Sequence, residues 1–459
     1  MDYFDEPIVA IATALGEGAI GIVRVSGENV IALVGDIFRP KHRIRFDKND
    51  DKRLVYGHII DKEHVVDEVM VAAMYGPHTY TKEDMVEIQC HGGMVPLRAI
   101  VSLLLSKGFR MAEAGEFTKR AFLNGRLDLA QAESVMDLIS AKTPDGFDLA
   151  YSQLEGTLSK KVALLREALI SVMAHLEVSI DYPEEDIEEI TYSELLFKFE
   201  SIKEGIDRLL VNSESGRILR DGLSTVIIGK PNVGKSSLLN ALLKEARAIV
   251  TDIPGTTRDA IEEYIQIKGV ALKLVDTAGI RATEDLVEKI GVERSKIFFN
   301  KADLVIFVLS ADQPLSAEDR EIIGFLKDKK AITIINKMDL EFVLEIDEIE
   351  ALLGHQPIIK TSILMEDGIE ALEEAIVDMV YGGMKVHEQA MVSNVRHVSA
   401  LLKAKQAMSD AIKVAKEGMP YDFIEVDVKN IYTYLGEITG ESLEEDLVNK
   451  IFSHFCLGK

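Results

Sequence analysis

The sequence predicts a multidomain protein of the α/β plus all-α class, with one α/β module inserted into a helical domain and another α/β (α+β) domain ahead of both. Three observations support this prediction. Short β-branched runs recur through the first 115 residues, a strand–helix repeat extends from about 221 to 380, and helical periods flank that repeat on both sides. The length of 459 residues suggests about three domains, at roughly 150 residues each.

Composition excludes several classes of protein. Hydrophobic residues make up 47% of the chain and charged residues 28%, so a largely disordered or fibrous chain is excluded. Apolar runs reach about six residues, far short of the roughly 20 that a membrane span requires, and the acidic N-terminus is unlike a signal peptide. Two cysteines, Cys90 and Cys456, exclude a secreted disulfide scaffold. We therefore expect a soluble, cytoplasmic protein with no membrane span.

The charge balance is strongly acidic. The net charge is −25, from 52 basic and 77 acidic residues, and the isoelectric point is near 4.9. An acidic surface of this kind does not bind nucleic acid over its whole extent, because such binding depends on many cationic contacts to phosphates. A local basic patch is still compatible with this balance.

The first predicted domain combines strands with two helices. Its strands are expected at 8–13, 20–25, 54–60, 65–74 and 85–89, because these runs are rich in β-branched residues and bounded by turn residues. Helices are expected at about 28–38 and 94–107. These elements are enough for one compact domain.

Helical sequence precedes and follows the inserted module. Apolar residues step by three and four from Leu158 to Leu176 and again from Val398 to Ala415, which is the pattern of packed helices. One helical domain, split in sequence by the insertion, is the economical interpretation; two unrelated helical domains are the alternative. The predicted boundaries are 1–118, 119–216, 217–381 and 382–459.

The strongest motif is a phosphate-binding loop at 229–236, with the spacing G-x-x-x-x-G-K-S. It follows the predicted strand 224–228 and opens a helix, which is the context that this motif requires. Its backbone N–H groups and the helix N-terminus favour an anion. Lys235 is expected to reach the β- and γ-phosphates of a nucleotide, and Ser236 to ligate Mg²⁺.

Three further elements follow in the order expected for a GTP-binding protein. Asp276 ends a strand and suits the Mg²⁺ shell, while Gly279 offers an N–H to a γ-phosphate. Asp339 ends another strand, and its carboxylate accepts from both N1–H and N2–H₂ of guanine, two donors that adenine lacks. The predicted nucleotide contacts at the phosphates and the base are Asn232, Val233, Gly234, Lys235, Ser236, Ser237, Asp276, Thr277, Ala278, Gly279, Asn336, Lys337, Met338, Asp339 and Ser362. The third element lies upstream at 255–259 and supplies hydroxyls for the Mg²⁺ shell. A last element, 360–363, lies where a loop usually backs the guanine, and it is weaker because Ile363 replaces the usual small residue.

The hydrolytic step has no obvious water-positioning glutamine. The residue after Gly279 is Ile280, which cannot orient water. Arg258 and Arg281 are candidate charge stabilisers, and Glu288 is a candidate for ordering the water. From the residues alone, a solvent-facing helix carboxylate is the favoured interpretation of Glu288.

These motifs together resemble the MnmE (TrmE) family of tRNA-modification GTPases. The resemblance spans essentially the whole chain, and the terminal F-C-L-G-K is its most specific motif. The residues that carry it are Asn232 and the segments 21–27, 87–93, 115–133, 251–259, 287–295 and 455–459. The resemblance implies an N-terminal folate-binding and dimerisation domain at 1–118, a split helical domain, and an inserted P-loop GTPase domain at 217–381.

The family's activity follows from the same resemblance. It implies a homodimer that works with the FAD-dependent partner MnmG, as a heterotetramer, on the wobble uridine of certain tRNAs. An aminomethyl-type group would be added at C5, using a one-carbon unit from 5-formyltetrahydrofolate or a related folate. GTP hydrolysis would depend on K⁺ and on G-domain dimerisation.

Residue roles carry over onto the matching positions. Asn232 would ligate K⁺ together with backbone oxygens of the switch loop, Thr257 would be the second Mg²⁺ ligand, and Glu288 would organise the attacking water. The switch-loop residues implied in cation or nucleotide binding are Thr251, Asp252, Ile253, Pro254, Gly255, Thr256 and Thr257. Within that set, the K⁺ ligands would be the backbone oxygens of Thr251, Ile253 and Thr256.

A folate pocket is implied at four residues: Arg24, Glu87, Arg126 and Lys459. A carboxylate pairs well with a pterin ring, and cations pair with folate's glutamate tail. Cys456 is either a catalytic thiol or a buried small hydrophobe.

Two other residues have less specific interpretations. Cys90 is expected to belong to the core. His91 precedes two glycines, and it is a weaker candidate for ligand contact.

Two alternatives remain open at this point. The chain is either a modification enzyme or a regulatory or ribosome-assembly GTPase, since the G-domain motifs are shared by both. The N-terminal block and the terminal F-C-L-G-K favour modification. In a third interpretation, the folate-like domain is only a dimerisation scaffold.

Overall fold

The computed structural model describes residues 6–41, 48–181, 191–245, 248–249, 263–274, 299–327, 329–381, 391–443 and 445–459. The chain forms two compact units. The first comprises Met1–Met136, Leu154–Met173 and Val428–Lys459, and the second comprises Asp137–Gln153 and Ala174–Asp427.

The first unit is built on a sheet with the strand order β3-β4-β5-β6-β2-β1-β7. Its strands are β1 (Ile8–Ile11), β2 (Ile20–Ser26), β3 (Phe38–Pro40), β4 (Leu54–Asp61), β5 (His64–Met74), β6 (Met85–His91) and β7 (Arg110–Met111). Neighbouring strands are antiparallel except for β1 and β7. The five predicted strands are therefore present, while the short strands β3 and β7 were not predicted.

Helices cover this sheet. The helices α1 (Val30–Ile37) and α2 (Met94–Ser106) bury an apolar face against strand residues such as Val23, Val71 and Ile88. Both were predicted, because their apolar residues recur at helical spacing. The next helix, α3 (Glu116–Leu123), is buried over most of its length.

The second unit carries the inserted module, a sheet with the order β14-β13-β12-β8-β11-β10-β9. Its strands are β8 (Leu223–Ile228), β9 (Ala248–Ile249), β10 (Glu263–Ile267), β11 (Val270–Leu274), β12 (Leu304–Ser310), β13 (Ala331–Asn336) and β14 (Ile358–Lys360). Strands β11, β8, β12, β13 and β14 pair in parallel, while β10 pairs antiparallel with both β9 and β11. The carboxyl ends of the parallel strands thus share one edge of the sheet, which is where ligands bind in folds of this kind.

The described helices of this module each follow one of its strands in sequence. They are α9 (Lys235–Glu245), α10 (Ala317–Leu326), α11 (Ile346–Leu353) and α12 (Ile369–Tyr381). The central strands β12 and β13 are buried along their whole length. This explains their continuous apolar sequences, since parallel strands are covered on both faces.

The remaining helices make up the helical part of the chain. They are α4 (Leu129–Ser140), α5 (Pro144–Leu154), α6 (Thr157–Asp181), α7 (Tyr192–Val211), α8 (Ser213–Asp221), α13 (Val395–Lys416), α14 (Tyr421–Thr439) and α15 (Glu445–Phe452). In the second unit α7, which precedes the inserted module, packs along α13, which follows it. The two helical stretches are therefore parts of one split domain, and the alternative of two unrelated helical domains is wrong.

Candidate functional site: a nucleotide pocket and a C-terminal tail cluster

The main cavity of the second unit lies at the carboxyl edge of its sheet. It has a volume of about 1020 Å³ and is open to solvent. The start of α9, the end of β13 and the loop after β14 line it. The lining includes the predicted residues Asn232, Gly234, Lys235, Ser236, Ser237, Asn336, Lys337 and Asp339. Tertiary structure thus brings together motifs that lie about a hundred residues apart in sequence.

The phosphate-binding loop has the backbone conformation that its sequence predicts. Asn232 and Gly234 both have positive φ angles, of 65° and 106°. A Cβ on Gly234 would lie 2.2 Å from Nδ2 of Asn336, so only glycine fits at this position. The helix α9 begins at Lys235, immediately after this loop, and its N-terminus faces the cavity that an anion would occupy.

Lys235 folds back over its own loop. Its Nζ donates to the carbonyl oxygen of Gly229 at 2.7 Å and also to that of Lys230. Burial lowers the pKa of Lys235, while the nearby carboxylate of Glu318 acts in the opposite direction. A phosphate group would supply the negative charge that this half-buried ammonium lacks.

Asn336 holds the two sides of the pocket together. Its Nδ2 donates to the carbonyl oxygen of Val233 at 2.9 Å, and its Oδ1 accepts from the N–H of Ile363 at 3.2 Å. The side chain is almost fully buried. Ile363 therefore contacts Asn336 through its backbone, so the unusual side chain at this position does not disturb the contact.

The base-binding end of the pocket is also fixed by hydrogen bonds. Ser362 Oγ donates to Asp339 Oδ1 at 2.5 Å, and the N–H of Met338 donates to the carbonyl oxygen of Thr361 at 3.1 Å. Lys337 has a positive φ of 64°, and its Nζ lies 3.6 Å from Oδ2 of Asp312. The sequence analysis did not identify Asp312, because only tertiary folding brings the end of β12 beside β13.

Several predicted site residues lie outside the described part of the chain. These are the switch-loop residues 251–257, Arg258, the segment 276–279, Ile280, Arg281 and Glu288. Their roles in Mg²⁺, K⁺, γ-phosphate and water binding stay predictions. By sequence they adjoin β10 and β11, whose ends at Glu263 and Leu274 are described.

A second cluster of predicted residues lies in the first unit. Arg24 on β2 donates from Nε to Glu87 Oε1 on β6 at 2.9 Å, and from Nη1 to the carbonyl oxygen of Gly458 at 3.2 Å. Arg24 and Glu87 are direct partners in the register of these strands. A Cβ on Gly458 would lie 2.5 Å from the carbonyl oxygen of Ile11, so the C-terminal tail packs closely on β1.

Lys459 belongs to the same cluster. Burial lowers its pKa, and the positive charge of Arg24 lowers it further, while Cys456 and Glu87 act in the opposite direction. Two cations and one carboxylate therefore converge beside the tail. This arrangement suits a ligand with both a hydrogen-bonding ring and a carboxylate.

The fourth predicted folate residue, Arg126, has different contacts. Its guanidinium lies over the ring of Tyr80, 4.6 Å from the centroid, and Nη1 donates to the Tyr80 carbonyl oxygen at 3.2 Å. These contacts do not join Arg126 to Arg24, Glu87 or Lys459. Its place in a folate pocket stays a prediction.

The two cysteines and His91 have distinct environments. Cys456 is exposed, so its interpretation as a buried hydrophobe is wrong. Cys90 is buried in the core, as predicted, and burial raises its pKa to about 11. His91 is exposed, and Nδ1 lies 2.7 Å from Oδ1 of Asp67; this hydrogen bond raises the pKa of His91.

The fold and the main cavity together define a class of protein. A mostly parallel sheet carries a phosphate-binding loop after one strand, and an aspartate after a neighbouring strand lines the same cavity. This is the G domain of a P-loop GTPase, which binds GTP and hydrolyses it. In the chain, helical segments precede and follow this domain, and a second sheet precedes them all. These additional parts distinguish the protein from GTPases that consist of a G domain alone.

Comparison with known proteins establishes the family. Residues 7–126 match the family described as the GTP-binding protein TrmE N-terminus, and residues 129–456 match the MnmE helical domain. The chain belongs to the MnmE family of tRNA modification GTPases.

Relatives from several bacteria are similar over their full length. The tRNA modification GTPases MnmE of Alkaliphilus oremlandii and Clostridioides difficile are 56% and 53% identical to this chain, each with 100% of both chains covered. Among solved structures, the FeoB G domain of Methanococcus jannaschii is 28% identical over 34% of this chain and 97% of that chain. Its TM-score is 0.25.

Across the described ranges, no helix combines the length and the apolar composition needed to cross a bilayer. Long helices such as α6 and α13 instead bury an apolar face and expose the opposite face to solvent.

Proposed function

We propose that this chain couples GTP hydrolysis to the addition of a (carboxymethyl)aminomethyl group at C5 of the wobble uridine of certain tRNAs. It would work as a homodimer with the FAD-dependent partner MnmG, in the cytoplasm. One observation carries the proposal: a single chain holds both a cavity lined by the phosphate-binding loop and Asp339, and a second cluster of Arg24, Glu87 and Lys459 whose charges would suit a folate. A GTPase with a purely regulatory role needs only the first.

The residues present fit a Mg²⁺–GTP complex. Ser236 follows Lys235 at the start of α9 and lines the cavity, which is where a hydroxyl ligand to Mg²⁺ belongs. Lys235 would hold the β- and γ-phosphates, and Asp339 would accept the two guanine donors. The magnesium ion would neutralise charge on the phosphates when bound. Thr257 and Asp276 complete the proposed shell.

We also propose that K⁺ assists hydrolysis. Asn232 lines the cavity, and its oxygen is a hard ligand that suits a monovalent cation. The remaining ligands would be backbone oxygens of Thr251, Ile253 and Thr256, and Glu288 would order the water. Hydrolysis in KCl should exceed that in NaCl at equal ionic strength; equal rates would contradict the role of K⁺.

The folate proposal depends on charge in the first unit. Arg24 and Lys459 supply cations and Glu87 supplies an acceptor, with Arg126 as a further proposed contact. The one-carbon unit of a bound folate would become part of the modification, and the exposed Cys456 is a proposed catalytic thiol. The chain's own residues would bind and orient the ligand.

The domain boundaries at 118, 216 and 381 are proposed on the same resemblance.

The decisive test is nucleoside mass spectrometry of tRNA from a deletion strain. The strain is complemented with the parent chain, with Arg24→Ala, and with Arg39→Ala as a control, since Arg39 is exposed on β3. The parent and the control should restore the modified uridine, while Arg24→Ala should not. Unchanged modification in the deletion strain would point to a regulatory or ribosome-assembly GTPase.

Calorimetric titration with 5-formyltetrahydrofolate separates a folate site from a dimerisation scaffold.

A further inference from the structure

The helix α5 lies against both chain connections of the inserted module. On the entry side, a Cβ on Gly146 of α5 would lie 2.7 Å from the carbonyl oxygen of Leu219 on α8. Arg220 Nε, at the end of α8, donates to Asp137 Oδ1 on the preceding helix α4 at 2.7 Å. On the exit side, Tyr381 ends α12. The hydroxyl of Tyr381 donates to Asp145 Oδ2 on α5 at 2.6 Å.

The same carboxylate touches a third part of the module, the turn between β10 and β11. Gly269 in this turn has a φ of +93°, and a Cβ there would lie 2.9 Å from Asp145 Oδ2. Lys268, in the same turn, lies 3.7–3.9 Å from carboxylate oxygens of three glutamates on α12. Asp145 thus sits where the exit helix and the hairpin turn meet.

A second contact holds the hairpin on its other side. The ammonium of Lys142, which precedes α5, lies 5.3 Å from the centroid of the Tyr264 ring on β10. Burial lowers the pKa of Lys142 and raises that of Tyr381, whose hydrogen bond to Asp145 raises it further. Both side chains are therefore partly buried at these contacts.

The hairpin of β10 and β11 connects, in sequence, the two proposed catalytic segments 251–257 and 276–279. Strand β10 begins at Glu263, soon after the switch loop 251–257, and β11 ends at Leu274, immediately before the segment 275–279. Five paired residues make the hairpin a continuous ladder from those ends to its turn. At the other end of the linkage, the chain on either side of residues 137–153 belongs to the first unit.

We propose that Asp145 and Tyr381 form a latch that ties the β10–β11 turn to α5 and couples GTP hydrolysis to tRNA modification. The two are positioning residues, because neither touches the nucleotide pocket. A change at the ends of β10 and β11 moves the turn, and the latch passes that movement to the helical segment 137–153. This inference rests on the proposed function, in which 251–257 and 276–279 bind the cations and the γ-phosphate.

The test measures hydrolysis and modification separately with the full chain. Tyr381→Phe removes the donor and keeps the ring, and Asp145→Ala removes the acceptor. Each should hydrolyse GTP within about twofold of the parent but yield at least about fivefold less modified tRNA, because a coupling free energy of 1–3 kcal/mol corresponds to roughly 5–150-fold. Asp145→Asn keeps an acceptor oxygen and should restore modification.

A matched control comes from the same unit. Tyr192→Phe removes one phenol hydrogen bond, to the carbonyl oxygen of Met419 at 2.9 Å, away from the hairpin. It should leave both readouts at the parent's values. If Tyr381→Phe gives the parent's yield of modified tRNA, or if hydrolysis and modification fall together, the latch is wrong. Loss of modification in Arg24→Ala with normal modification in Tyr381→Phe would contradict the latch and leave the proposed function standing.

Hydrogen exchange in the parent protein gives a test that needs no variant. Addition of a non-hydrolysable GTP analogue should change amide protection in α5, with α7 as the internal reference. Unchanged protection in α5, in a protein shown to bind the analogue, would overturn the proposal.

Discussion

Ser362 Oγ donates a hydrogen bond to Asp339 Oδ1 at 2.5 Å, which joins the loop after β14 to the loop after β13. The bond occupies one lone-pair site of a carboxylate that has about four such sites. Enough acceptor capacity remains for the two donors on the Watson–Crick edge of guanine. Asp339 is therefore oriented before a nucleotide binds, which reduces the entropy lost on binding.

Replacement of Asp339 should change the base that the pocket selects. Asp339→Asn removes the charge that accepts from guanine and introduces an N–H donor, which suits the 2-oxo group of xanthine. Since hydrogen bonds to charged groups contribute about 1.5–3 kcal/mol each, GTP affinity should fall roughly 100-fold or more. Binding of xanthosine triphosphate should rise. Fluorescent-nucleotide competition measures both affinities.

The control for this experiment is Asp347→Asn. Asp347 lies in the first turn of α11 and is exposed. It should leave both nucleotide affinities unchanged. An Asp339→Asn variant that keeps full preference for GTP would show that another group reads the base.

The lowered pKa of Lys235 makes GTP affinity depend on pH. Bound phosphate stabilises the charged ammonium, so binding takes up a proton wherever the pH exceeds the pKa of the free protein. Affinity should be constant below that lowered pKa and should fall as pH rises through it, by at most about tenfold per pH unit. Because burial lowers the pKa, the fall begins at lower pH than it would for an ordinary lysine. Calorimetry across an alkaline pH series measures it.

Lys235→Arg separates this effect from other titrations. Arginine keeps its charge throughout the accessible pH range. The variant binds more weakly, but its affinity should lose the alkaline dependence. The same pH profile in both proteins would assign the titration to another group.

A buried ionic network in the first unit should control its stability in acid. Glu116 on α3 is almost fully buried and accepts from Arg110 at 2.6 Å and from Arg120 at 3.0 Å. Burial acts to raise the pKa of Glu116, but hydrogen bonds from Arg110, the Glu113 N–H and Arg120 outweigh it and leave the pKa below its usual value. Arg120 is equally buried, and it pairs with two carboxylates, those of Glu116 and Glu83.

Glu116→Gln should destabilise the protein at neutral pH by about 1.5–3 kcal/mol, the contribution of a hydrogen bond to a charged group, because it removes one of the two carboxylates that pair with the buried Arg120. A carboxyl with a lowered pKa contributes stability that is full above its unfolded pKa and is lost as pH falls through the lowered value. The loss relative to the parent should therefore shrink as the solution is made acidic. Urea unfolding at neutral and acidic pH measures it.

The matched control is Glu204→Gln on α7. Glu204 pairs with Arg208 in an exposed i,i+4 bridge, and such bridges contribute only about 0.3–0.5 kcal/mol. Its loss should be small at either pH. Equal losses for the two variants would show that the network around Glu116 does not stabilise the fold.

Local patterns were sufficient for most elements of secondary structure. The strands β2, β5 and β8 follow from β-branched runs, and α13 follows from apolar spacing, since both signals depend only on neighbours in the chain. The short strands β3 and β7 were missed. They have three and two residues and exist because an adjacent strand pairs with them, which no local pattern records.

The site residues divide in the same way, into those that a local motif predicts and those that only the fold brings together. Lys235, Asn336 and Asp339 were predicted by motif, because phosphate and guanine recognition require those groups at those spacings. Asp312, which pairs with Lys337, carries no motif. Cys456 needed the fold as well: only the packing of Phe455 into the core and of Gly458 against β1 leaves its thiol exposed.

The sequence by itself determined the fold class, the nucleotide motifs and the family, since each is carried by residue type and spacing along the chain. Tertiary structure alone decided which distant groups meet. It placed Arg24 against the C-terminal tail 434 residues away and brought Asp145 to Tyr381 and the hairpin turn. The reason is physical: a contact between distant residues depends on how whole elements pack to bury their apolar faces, and that packing is a property of the complete chain.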